Sequence, residues 1–182
     1  AAPLGSALLE GQGYAAFRRG ANREVSVALD YGHSGGGHGH PDRLNLQLAQ
    51  ADVRWLDDMG TGSYVDPSLH WYRSTLAHNA PLVDGRSQAR VHGALRAYEE
   101  RDAVGWVEAA APRIAPGVGV RRTLIVMPDY LVDVLTWDAE REIVLDLPLH
   151  VDAEVEGGGD WSAATPLGGD GLEDGFGCVH HA

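Results

Sequence analysis

The chain has 182 residues, 44% of them hydrophobic and 22% charged, which gives room for one domain with a sizeable core and too little for two. Its net charge is −12 and all 14 basic residues are Arg, so nucleic acid is excluded as the main partner. No run approaches the roughly 18 apolar residues that a membrane-spanning helix needs.

The opening AAPLGSALLEG has no initiator Met, no basic n-region and no long apolar core. The chain is therefore expected to begin inside something larger, or after a removed leader. From there the pattern is period two almost everywhere. In EVSVALDY, residues Val25, Val27, Leu29 and Tyr31 share one face, and in RLNLQLA so do Leu44, Leu46 and Leu48. VRWL follows, then HNAPLVDG with a turn at Asp84-Gly85, then AVGWVEA around Trp106. VRRTLIVM and YLVDVLTW flank a tight turn at Pro128-Asp129, and IVLDLPLHV and DAEVE come next. Short strands separated by turn residues predict an all-β fold, an antiparallel β-sandwich or barrel with one face on the core and one in water. Trp106 and Trp137 are expected in the core or on a sheet face.

Two stretches break the rhythm: GHSGGGHGHPD at residues 32–42, and DMGTGSYVDPSLHWYRS at residues 58–74. Long irregular loops in compact domains often carry function. Residues 157–182 turn to Gly, Asp and Ser and read as a tail or truncated continuation, leaving residues 1–156 as the sandwich domain. His180 and His181 read as chain end.

Cys178 is the only cysteine, so there is no disulfide framework and no thiolate metal site. Any metal must use imidazole and carboxylate. His38 and His40 lie two apart among glycines, the second loop opens on Asp57-Asp58, and LAHN supplies His78 and Asn79. Two His and one Asp make an N,N,O set suited to a borderline divalent ion such as zinc, with a fourth position open.

Three strings in order, DYGHSGGGHGHPDRLNL, LDDMGTGSY and WYRSTLAHNAPLVDGRSQ, resemble the signature of the heparinase II/III-like polysaccharide lyases. They span roughly residues 30–88, and residues 94–156 fit the family's sandwich only in general character. The resemblance implies a two-part enzyme, with an N-terminal α/α-toroid that this chain does not contain packed against the β-sandwich. It implies β-elimination at a uronic acid, with much of the proton transfer performed by a Tyr and a His of the toroid.

Carried over residue by residue, the resemblance makes His40, Asp58 and His78 the zinc ligands, with Asp57 as the alternative to Asp58. His38 matches an active-site histidine that holds or neutralises the uronate, and the metal is mainly structural. Arg73 and Arg86 are candidate substrate-carboxylate ligands, and Tyr64, Trp71 and Tyr72 candidate sugar platforms. His33 is given no role. The implied partner is an anionic polysaccharide, alginate-like in preference to heparin-like, met in the periplasm or outside the cell. Two other readings compete. Gly32 followed by His38-Gly39-His40 fits the opening of a cupin pattern, but the expected Glu is missing. A sandwich without its toroid is also compatible with a non-catalytic carbohydrate-binding module.

Overall fold

A computed structural model of the chain describes residues 5–33, 37–153 and 174–179. Strands β1 (Ala7–Leu9), β2 (Tyr14–Arg19), β3 (Val25–Asp30), β4 (Asn45–Gln50) and β5 (Val53–Leu56) form one sheet in chain order. Strands β7 (Ala94–Arg101), β8 (Val104–Ala115), β9 (Val118–Val126) and β10 (Leu131–Ala139) form a second, in the order β10-β9-β8-β7. Between them in sequence lie a four-residue helix, α1 (Leu69–Tyr72), and strand β6 (Leu82–Val83), which pairs with β11 (Leu145–Asp146). Every pairing is antiparallel. The core draws on both sheets: Phe17, Leu29 and Leu46 from the first meet Val107, Leu124 and Val126 from the second. This is the sandwich expected from the alternation.

The strand phase is clearest in β9, where Val118, Val120, Arg122, Leu124 and Val126 are buried and the residues between them are not. Each fully buried aliphatic side chain contributes about 1.5–3 kcal/mol, which is why the phase cannot slip by one. Arg122 holds one of these inward positions, and its partners are described below. In β10 no residue is buried. Trp106 and Trp137 are 41% and 55% exposed, so both lie on sheet faces and neither is core.

Strands β1, β2 and β7 were not anticipated from the alternating runs. IVLDLPLHV contracts to the two residues of β11, and the end of DAEVE, from Glu154, lies outside the described residues. The Asp84-Gly85 turn is present, with φ of 53° and 65° and Arg86 N–H donating to the Val83 carbonyl at 3.0 Å. Paired left-handed residues of this kind match the twist of a two-residue hairpin. Of the Gly-rich tail, residues 174–179 are described, and Asp174 Oδ1 accepts the Ser87 N–H at 2.7 Å.

Candidate metal centre and adjoining active site

His78 is fully buried, at the end of a short 3-10 turn, Thr75–Ala77. Its Nδ1 lies 2.8 Å from the Ser74 carbonyl oxygen. A carbonyl only accepts, so Nδ1 carries the proton and Nε2 of the neutral ring presents its lone pair. Three groups converge on that nitrogen: His40 Nδ1 at 3.2 Å, Asp42 Oδ2 at 3.7 Å and Asp58 Oδ1 at 3.8 Å. His40, Asp42 and His78 each offer a ligand atom within 4.8 Å of the other two.

This set fits a divalent cation on its own geometry. Bonds of about 2.0–2.1 Å to a tetrahedral ion put neighbouring ligand atoms about 3.3 Å apart. The three approaches to His78 Nε2, at 3.2, 3.7 and 3.8 Å, lie within about half an ångström of that spacing. Burial first, and then the neighbouring His78, lowers the His40 pKa, which keeps its ring in the neutral, ligating form. A third carboxyl, Asp30, is raised to about 6 by burial first and then by the charge of Asp42. Crowded carboxylates of this kind are relieved by a cation. His40, His78 and Asp42 form the converging set, and the Asp58 carboxylate, 3.8 Å from His78, is a candidate fourth donor.

The surrounding strands hold these groups in place. Asn45, on β4, donates from Nδ2 to Asp58 Oδ2 at 3.0 Å and accepts the Asn79 N–H on Oδ1 at 3.0 Å. It therefore sets Asp58 against the segment that carries His78. Asp58 Oδ1 also accepts the Gly60 N–H at 2.8 Å. Asp57 instead pairs with Arg54 at 3.1 Å, so of the two adjacent acids it is Asp58 that approaches His78. Arg122 reaches in from β9 and donates to the carbonyls of Asn79 at 2.6 Å and Leu44 at 2.8 Å, while Asp133 holds its other face through two bonds. Gln88 ties the segments together, accepting from Arg43 N–H at 2.9 Å and donating to the Pro81 carbonyl at 2.7 Å.

His38 turns away from this centre. It is exposed, and its Nδ1 lies 2.5 Å from the Tyr64 hydroxyl with the rings edge to face. The two histidines of the pair thus diverge, one to solvent and one to the buried cluster. Two arginines brace the loop between them. Arg73 donates to the Gly37 carbonyl at 3.1 Å and Arg90 to the Gly39 carbonyl at 3.0 Å, on either side of His38.

Several candidate residues sit in unexpected company. Tyr64 is beside His38 as a hydrogen-bond partner rather than as a bare platform. The Tyr72 ring fills the space over Gly62, where an added Cβ would meet it at 2.4 Å, and Trp71 donates to Met59 Sδ at 3.4 Å. Both are engaged in loop packing. Arg86 lies 3.6 Å from Asp174. Asp42, Asn45, Arg90 and Arg122 were not picked out from the sequence. For Asn45 there was a signal: it and Gln47 are the polar positions alternating with the leucines of β4, and Gln47 too approaches Asp58, at 3.5 Å.

Fold and site together are those of an antiparallel β-sandwich that carries a histidine–carboxylate cluster. The chain belongs to the heparinase II/III-like C-terminal family, which it matches over residues 1–179. An alginate lyase of Stenotrophomonas maltophilia (strain K279a) is 27% identical over 168 residues, covering 79% of this chain and 23% of that protein. A heparinase III structure superposes with a TM-score of 0.76 at 16% identity, covering 83% of this chain and 25% of its own. A heparan sulfate lyase of Pedobacter heparinus gives 0.65 at 19% identity, covering 72% and 22%. At these identities the structural likeness concerns the fold. The chain spans about a quarter of the length of the relatives it matches. Nothing in fold or comparisons favours the cupin reading.

Proposed function

We propose that this chain is the β-sandwich part of a lyase that cleaves a uronate-containing polysaccharide by β-elimination. In this reading it contributes the metal centre and one wall of the active cleft. The observation that carries it is the exposed His38–Tyr64 pair, set two residues from the buried His40 cluster in a chain of this family. The remaining length of such a protein supplies an α/α-toroid that completes the cleft, and the chain by itself is inactive. An alginate-like substrate is preferred, because the matched sequence relative is named an alginate lyase. The place of action is the periplasm or the extracellular space.

Zinc suits the donor set of His40, His78, Asp58 and Asp42, and when bound supplies a fixed positive charge that pins the two loops together. The chain's own residues do the rest. Removing the C5 proton of a uronate builds charge on the adjacent carboxylate, so a donor aimed there lowers the barrier. The Tyr64 hydroxyl is hydrogen-bonded to Nδ1 of His38, which orients the imidazole and leaves Nε2 as the nitrogen available to the sugar. Tyr64, Arg73 and the loop glycines form the immediate wall around His38.

The test is formation of unsaturated uronate, followed by its new ultraviolet absorbance, with this chain alone and with a full-length parent containing it. The parent should turn over an oligouronate and the chain alone should not. A parent that binds oligouronates but releases no unsaturated product would leave a carbohydrate-binding module as the reading.

A further inference from the structure

On the side of the second sheet opposite the metal centre, three arginines converge. Arg96, Arg113 and Arg121 are exposed and line one cleft of about 510 Å³. Among the described residues, no hydrogen bond or ion pair engages any of the three. In a chain of net charge −12 with only 14 basic residues, three guanidinium groups in one hollow, without a partner among the described residues, are a local reversal of sign.

The backbone is shaped to present them. Arg96 sits at the register shift between Leu95 and Ala97 in β7. Arg113 lies in the irregular stretch between Ala111 and Ala115 of β8, at φ 57°, a left-handed conformation unfavourable for a non-glycine residue. Bulges re-aim side chains, and here two of them aim at the same cleft. Arg121 pairs across the ladder with Ala110, and the neighbouring Gly119 leaves the floor open. Its sequence neighbour Arg122 points the other way, into the network that holds Asn79. Asp138 and Glu140 also line the cleft, Asp138 lying over Gly119, where an added Cβ would meet its carboxylate at 3.1 Å.

We infer that this cleft is a second binding site, separate from the metal centre, for an anionic sugar unit. The planar arginine forks take its carboxylate or sulfate group, and Asp138 and Glu140 accept hydrogen bonds from its hydroxyls. The inference rests on the proposed polysaccharide substrate and extends it: the site holds the polymer away from the reacting bond.

The experiment is calorimetric titration of the whole chain with three oligosaccharides of equal length: an unsulfated uronate, a sulfated uronate and a neutral glucan. At least one anionic oligosaccharide should bind, more weakly as salt rises, and the neutral one should not. The better of the two anionic ligands identifies the group that the arginines take. Arg96→Gln combined with Arg121→Gln should lower the affinity at least tenfold, while Arg101→Gln, at an exposed arginine outside the cleft, should not. Both substitutions are on exposed side chains, and an unchanged thermal midpoint verifies the fold. Equal binding by the double variant overturns the inference, as does equal binding of the neutral glucan. Loss of self-association in the variant, with no effect on sugar, would assign the face to a second copy of the chain and also overturn it. Binding is read without turnover, so a parent that fails as a lyase while its cleft still binds separates the two proposals.

Discussion

His40 Nδ1 and His78 Nε2 face each other at 3.2 Å, and the opposite nitrogen of His78 is committed to the Ser74 carbonyl. With its tautomer fixed from behind, His78 can only offer a lone pair to the cluster, and two carboxylates stand beside that lone pair.

Metal content follows from this arrangement. The purified chain should hold about one zinc, measured by elemental analysis. His40→Ala and His78→Ala should each lose it and destabilise the loops, because ligand loss couples to folding. Asp58→Asn should weaken binding by roughly 10–100-fold, the usual effect of disturbing a site's ligand geometry. Absence of any transition metal, with no uptake on adding zinc, would contradict the assignment.

Asp30 gives a pH signature. Its folded pKa of about 6 lies above the ordinary carboxylate value of 3.8. The folded state therefore binds a proton that the unfolded chain releases, and stability falls as pH rises from about 4 to 6. Asp30→Asn keeps an acceptor for the Gly32 N–H and removes that penalty. In chelator-treated protein it should raise stability at pH 7 by roughly 2–3 kcal/mol, and change little at pH 4. Denaturant midpoints at the two pH values check this. Equal effects at both would show that the gain is not electrostatic.

The two loop braces make a separate prediction. Arg73→Ala or Arg90→Ala frees the carbonyl of Gly37 or Gly39 and lets His38 drift from Tyr64. Nitrogen-15 spectra of the imidazoles should show the His38 Nδ1 hydrogen bond weakened while the His40 and His78 signals stay in place. In a full-length parent, turnover should fall about tenfold or more through misplacement, with zinc retained. An unmoved His38 signal would show that the braces do not position it.

Arg122 is the clearest case of a charge that packs. Arg122→Ala leaves the Asn79 and Leu44 carbonyls and the Asp133 carboxylate without their partner. Loss of about 3–5 kcal/mol is expected on thermal or denaturant unfolding. A change under about 1 kcal/mol would mean that water replaces it without cost.

Strands β3, β4 and β9 were legible because their residues alternate with few exceptions, whereas β1 and β2 of the first sheet were not. Strand β7, ALRAYEER, was not: its residues favour helix in isolation, and as an edge strand it buries too little to show a phase. Arg121 and Arg122 are identical in type, and only the phase of Val118 and Val120 tells which one turns inward. The approach of His40 and Asp58 to His78 was legible from motif strings. Asp42 was not, because a carboxylate after proline reads as a turn residue until the fold brings it to His78.

The central claim is that His38 acts on the uronate while His40 serves the metal. The most direct measurement is the rate of unsaturated-uronate formation by His38→Ala in a full-length parent, at a confirmed full complement of zinc. The expected result is a fall of roughly 10²–10⁴ in turnover, the usual contribution of a positioned acid–base or electrostatic group, with metal content unchanged. Wild-type turnover in that variant, or zinc lost from it and kept by His40→Ala, would contradict the assignment.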